Sequence, residues 1–315
     1  MPALSLEWNS WMAISGRGAA LSQSHMAVMQ RLVSGCRAFR VAAAVATVVL
    51  TCCTSQAQAE DASVLRVCAD PGNMPFSLRD GGGFENKLAK LIADRLDRKL
   101  VYTWFPESTG YIPNTFGENA CDLVMGYAQG TGLIEDTNPY YYTSYVVITR
   151  ADDADLKDVV ALSDPRLKSK RIGFVAHTPP ASILTMRGLS ENAKSFDVRS
   201  GESQATVAQD MIKQIVSGKL DAALLWGPIG GYYAALSDTP LTVVPLIKEQ
   251  AGPATIYGIT LGVRPNEPQF KHQVNKVLAE SADEITAILK DYHVPVLDQE
   301  GQVVAAKGST AAANQ

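Results

Sequence analysis

The stretch Val64-Leu65-Arg66-Val67-Cys68-Ala69, followed by Leu88, Leu91, Ile92 and Leu96 at helical spacing and then by Leu100 to Phe105, decides the fold. The two short apolar runs read as buried strands. Between them the apolar stripe is backed by Lys87, Lys90, Asp94 and Arg95, so one helix covers the strands. Asp122 to Gly126 adds a third strand. The pattern returns with Arg171 to Val175 as a strand, Val207, Met211, Ile212 and Ile215 on a helix that Gly218 ends, and Leu220 to Trp226 as a strand. Such alternation is α/β construction with mostly parallel sheets.

Tyr145 to Arg150 and Thr255 to Arg264 read as extended segments flanking a central block. They predict two lobes, residues 60–148 with 255–300 as the first and 149–254 as the second. A last helix carrying Phe270, Val274, Val277, Leu278, Ile285, Ile288 and Leu289 is expected to pack back on the first lobe. Residues 301–315, rich in Ala, Gly, Ser and Asn, read as a flexible tail. Ligands of open α/β sheets sit beyond the carboxyl ends of the strands. The loops after Ala69, Gly126, Val175 and Leu225 are therefore expected to face one interlobe cleft.

With 46% apolar and 19% charged residues, the 315-residue chain has the means to bury two cores, which excludes disorder for its bulk. A net charge of -4 and a pI near 5.6 give no footprint for nucleic acid. Residues 41–53 form the only long apolar run, preceded by Arg31, Arg37 and Arg40 and followed by Ala57-Gln58-Ala59. These are the parts of a cleavable export signal, too short to span a membrane, so residues 1–59 read as a leader and the mature chain starts near Glu60 in the periplasm. A start at Met26 or Met29 suits that signal better than Met1, and a lipoprotein site at Cys52 is disfavoured by the bulk of Thr51. Removal of the leader takes four of 28 basic and one of 32 acidic residues and leaves a mature charge of -7. A basic c-type cytochrome could be steered by such a surface, although net charge alone selects no partner.

The mature chain keeps Cys68 and Cys121, which an oxidising compartment would bridge. Two buried thiols are the alternative, because parallel neighbouring strands would leave the pair about three residues, roughly 10 Å, off level. His177, His272 and His293 lack metal-ligand spacing, so no metal and no cofactor are expected. Asp70, Glu85 and Asp122 are the candidate carboxylates, each with an ordinary alternative as strand-end or cap acceptor. No nucleophile, base and oxyanion hole come together, and no catalytic residue is expected.

Leu65-Arg66-Val67 with Asp70 and Pro75-Phe76, Gly83-Phe84-Glu85 opening a helix, Cys121 to Gly126, and Pro139-Tyr140-Tyr141 together resemble the type II periplasmic solute-binding fold over residues 64 to about 294. Cys68-Ala69-Asp70-Pro71, Tyr102 to Pro106, Asn114-Thr115, Thr178-Pro179-Pro180 and Trp226 to Tyr232 are similar to one branch, the quinoprotein-dehydrogenase-associated periplasmic proteins. That branch includes the J-type proteins encoded beside methanol dehydrogenases and their lanthanide-dependent relatives. The resemblance implies a non-enzymatic accessory role beside a PQQ-dependent methanol or alcohol dehydrogenase.

Amino-acid receptors of this fold hold the ligand carboxylate with an Arg and its ammonium with an Asp, because a zwitterion loses hydration in a closed cleft. Here the corresponding positions carry Asn73, Gly130 to Leu133 without an Arg, and Trp226. What remains is neutral and amphipathic: Met74, Phe76, Phe84, Tyr127, Trp226 and Tyr232, with Asn73, Gln129, His177 and Thr178 among them. Phe76 and Phe84 suit the core equally well, and His177 suits a structural hydrogen bond. Tyr and Trp with polar tips fit either an inserted protein segment or a flat solute. The resemblance implies dehydrogenase maturation or activation, and the residues suggest an aromatic cleft as the means. An importer receptor for a neutral or aromatic solute, and then a dehydratase or lyase, are the alternatives.

Overall fold

The computed structural model describes residues 63–304 apart from 108–109, 133 and 199–202, so the expected leader and residues 305–315 lie outside the described residues. The strands are β1 (Val64–Ala69), β2 (Gly72–Asn73), β3 (Ser77–Leu78), β4 (Lys99–Trp104), β5 (Leu123–Ala128), β6 (Glu135–Asp136), β7 (Tyr141–Arg150), β8 (Ile172–Val175), β9 (Ala193–Phe196), β10 (Ala222–Trp226), β11 (Leu241–Pro245) and β12 (Ile256–Val263). The helices are α1 (Phe84–Arg95), α2 (Tyr111–Asn114), α3 (Pro179–Met186), α4 (Gln204–Val216), α5 (Gly227–Ala235), α6 (Pro268–Glu280) and α7 (Ala282–Asp291).

The strand order β4-β1-β5-β12-β7-β10-β8-β9 runs through two sheet halves. In the first, β4, β1 and β5 are parallel and β12 closes them antiparallel. In the second, β10, β8 and β9 are parallel. Strand β7 serves both: Tyr141 to Ser144 pair with β12, whereas Tyr145 to Ile148 pair with β10 and Val146 to Arg150 with β11. This is the two-lobed α/β arrangement that the alternation implied.

Leu88, Ala89, Ile92 and Ala93 on α1 bury against Leu65, Val67 and Leu123, and Val274, Leu278, Ile285 and Leu289 complete that core. The expected single last helix is two, α6 and α7, meeting at the buried Ser281. Its backbone departs from helical values (φ -108°, ψ 14°), while both pieces keep their apolar faces on the first core. In the second half Val146, Ile148, Ala223 and Leu225 meet Val207, Ala208, Met211 and Ile215 of α4. At the start of the expected tail, Val303 bridges Leu297 and the Val304 amide donates to Val296.

A disulfide joins Cys68 and Cys121, with Cα atoms 5.5 Å apart. With Cys121 at the start of a strand the pair would sit off level. In fact β5 begins at Leu123, and a bend at Asp122 turns Cys121 out of the ladder. The cystine sits among buried Tyr111, Phe116 and Val124.

Candidate functional site

Trp226 ends β10 and faces Tyr145 across the β7 register. Strand β10, Ala-Ala-Leu-Leu-Trp, lies between β7 and β8, so its apolar run is buried on both faces until Trp226. Gly227-Pro228 then starts α5, which fixes Trp226 at the carboxyl end of the sheet. Tyr257 arrives from β12, one place from Ser144 of β7 in the ladder. The Tyr145 and Trp226 rings are 5.1 Å apart, Trp226 and Tyr257 5.6 Å, and Tyr145 and Tyr257 6.4 Å, all steeply inclined. Edge-to-face packing of this kind makes the trio mutually supporting.

These rings line a cavity of about 330 Å³, with Ala128 on one side and Val175, Thr178, Pro179, Gln204, Leu225 and Ile229 on the others. No lining residue is charged. The Thr178 hydroxyl donates to the Val175 carbonyl at 2.6 Å and the Tyr257 hydroxyl to that of Ala254 at 2.8 Å. Burial, and then Tyr257, push the Tyr145 phenol above its ordinary range, so it stays a neutral donor. A zwitterion would lose hydration here with no ion to replace it, whereas an apolar or aromatic group with one or two polar atoms would not.

Of the residues expected in the cleft, Thr178 and Trp226 line this cavity. Phe84 is fully buried in the first core against Tyr292, at 5.9 Å, and Phe76 packs on it at 5.3 Å. Met74 packs against the same core. Tyr232 points away and stacks on Tyr292 at 6.0 Å. His177, with φ 60°, and Gln129 are exposed. Asn73 donates to Glu107 Oε2 at 2.8 Å, and Tyr127 packs beside the cystine core. Tyr145, Tyr257 and Gln204 were not singled out. Gln204 heads α4, Tyr145 lies within β7 and Tyr257 near the start of β12, and the signal for the two tyrosines was an aromatic near the entrance of each expected crossing segment.

Glu85 lies on the first-lobe side, where a side chain on Gly126 (φ 71°) would collide with its Oε1. Burial and then Glu107 drive the Glu85 carboxyl well above its usual range.

Residues 65–295 match the bacterial extracellular solute-binding proteins, family 3. The chain belongs to this family. It is 41% identical to the periplasmic binding protein XoxJ from Methylobacterium extorquens AM1, whose crystal structure it overlays with a TM-score of 0.63 over 75% of this chain and 100% of that one. For MxaJ from Methlophaga aminisulfidivorans MPT the identity is 26% and the TM-score 0.65, over 74% and 100% of the two chains. Protein MoxJ of Methylorubrum extorquens is 30% identical over 260 residues, 77% of this chain and 85% of that protein. The family and these relatives make the chain an extracellular or periplasmic protein of binding type. Among the described residues no helix is long and apolar enough to cross a membrane.

Proposed function

We propose that this protein is a non-enzymatic periplasmic accessory factor of a PQQ-dependent methanol or related alcohol dehydrogenase, helping that enzyme to mature or become active. The observation that carries the reading is the uncharged cavity of Tyr145, Trp226 and Tyr257 where an amino-acid receptor needs ions. Likeness to MoxJ, XoxJ and MxaJ supports the dehydrogenase system, since J-type proteins are those encoded beside methanol dehydrogenases. In this reading the rings anchor a segment of the immature dehydrogenase, and closure of lobe 2 (149–254) on lobe 1 (60–148 with 255–300) gates its release. Co-purification from periplasm tests it: wild type is expected to bring down the dehydrogenase and Trp226→Ala to lose most of it. Equal recovery rejects the cavity as the contact surface.

The cavity volume of about 330 Å³ is also that of a small-ligand pocket, which favours, as a second reading, a receptor passing a neutral or aromatic solute to an importer. That reading expects a saturable change in tryptophan fluorescence with a single small compound and no dehydrogenase in the pull-down.

A further inference from the structure

The chain that leaves α7 does not stay on the first core. Tyr292, at the end of that helix, has its ring in the core, and its hydroxyl donates to the Gly82 carbonyl at 2.5 Å. Residues 293–304 then run across β7, the strand shared by both sheet halves. The Thr143 hydroxyl donates to the Pro295 carbonyl at 2.8 Å, and the Leu297 amide to the Tyr142 carbonyl at 2.8 Å. From there the segment folds back on itself. The Asp298 amide donates to the Gln302 carbonyl and the Val304 amide to that of Val296, so that Leu297 and Val303 form a bridge. Val294, Val296 and Leu297 are buried, and Gly301 lies against the Ile256 side chain at the start of β12.

The same segment also reaches α5, which follows β10 in the second half. A side chain on Gly231 would collide with the His293 carbonyl, and one on Gly227 with Pro295 Cγ and the Ser144 carbonyl. The Tyr232 ring lies on that of Tyr292, 6.0 Å between centroids and 23° between planes. Glycine inside a helix costs about 1 kcal/mol relative to alanine, so its presence at both points of contact reflects an approach closer than a methyl group allows. Gly227 directly follows Trp226, whose ring lines the aromatic cavity.

We propose that residues 292–304 are a strap through which the first half sets the position of Trp226. Tyr292, His293 and Pro295 hold α5, and α5 holds Trp226 against Tyr145 and Tyr257. These three are positioning residues, because the cavity is lined by others. Movement of the second half against the first has to slide α5 along the strap, so the strap governs how readily the cavity opens. Only this last step rests on the proposed function, in which opening releases the dehydrogenase segment; the hold on Trp226 needs no dehydrogenase.

From Glu60 onward the chain has two tryptophans, Trp104 and Trp226, so Trp104→Phe leaves Trp226 as the sole fluorescent reporter. In that background Gly231→Ala drives a methyl group into the His293 carbonyl while favouring the α5 helix itself. Thr143→Val deletes the hydrogen bond to Pro295. Gly218→Ala is the control: its φ of 70° makes alanine costly, yet nothing lies within 4 Å of the added methyl group. The expected result is emission at longer wavelength and about twofold stronger acrylamide quenching in Gly231→Ala and Thr143→Val, with circular dichroism unchanged and Gly218→Ala like the background. Should Gly231→Ala not fold, Thr143→Val decides. A background-like Trp226 signal in the folded strap variants, or the same change in Gly218→Ala, would overturn the strap. No dehydrogenase enters the measurement, so this result and the pull-down can fail independently.

Discussion

The two ends of β5 treat a carboxyl group in opposite ways. At the amino end, Asp122 accepts from Arg66 Nε at 3.1 Å and the Arg66 amide at 3.0 Å, and Arg264 Nη2 reaches its other oxygen at 2.5 Å. At the carboxyl end, Glu85 rests on Gly126 with no cation beside it. Burial would raise Asp122, but the hydrogen bonds and charge of Arg66, with Arg264, outweigh it and hold the carboxyl below its usual range. The same strand thus has a structural end in which every charge is answered and a working end left neutral or unanswered. The aromatic cavity, beyond Ala128 of β5 and Trp226 of β10, lies at the working end.

Breaking the structural end has the largest expected effect. The cystine there closes a separation of 53 residues. A loop of that size limits the unfolded chain by about 4 kcal/mol in the chain-entropy account, so Cys68→Ser with Cys121→Ser should lower the denaturant midpoint steeply. Asp122→Ala comes next, at about 3 kcal/mol, because it removes the carboxylate that two half-buried arginines share, leaving Arg264 with Glu267 and the Cys121 carbonyl alone to answer it. Equal losses from Asp122→Ala and Glu85→Ala in urea melts would erase the contrast between the ends.

The pH dependence sharpens it further. Asp122, lowered from 3.8, contributes stability that is present above that value and lost as the pH falls through its folded value. Glu85, raised from 4.5, does the reverse: its contribution is complete below 4.5 and lost as the pH rises through its folded value. Glu85→Gln should therefore gain stability relative to wild type at pH 8 and not at pH 4, while Asp122→Asn shows its deficit at pH 6 and loses it toward pH 2. Melting curves across pH read both slopes. The smallest effect belongs to a surface pair outside either end: Lys90→Ala, which removes the exposed contact with Asp94, should cost no more than about 0.5 kcal/mol.

Much of this architecture could be read in the sequence because periodicity carried it. Leu88, Leu91, Ile92 and Leu96 declared α1, and the short runs at 64–69 and 222–226 declared β1 and β10. Helix α5 was hidden, since Gly227, Pro228, Gly230 and Gly231 carry low helix propensity. Gly231 is tolerated there because any side chain would strike the His293 carbonyl, so close packing and not propensity chose it. The site was half visible. Trp226 stood out by its place before Gly227-Pro228, but Tyr145 and Tyr257 meet it only through the β7–β10 and β7–β12 registers, which no local pattern encodes. Glu85 looked like a helix-start acceptor, and what sets it apart is the absence of an arginine that the fold brings to Asp122 from β1 and from beyond β12.

The central claim is that the cleft no longer serves a metabolite zwitterion, and a titration tests it most directly. Leucine, glutamine and phenylalanine are added to the mature protein while tryptophan fluorescence and thermal stability are followed. The account predicts no saturable response to any of them. Saturable uptake of one, with about 2.7 kcal/mol of added stability at a hundredfold excess over its dissociation constant and loss of the response in Trp226→Ala, would contradict it.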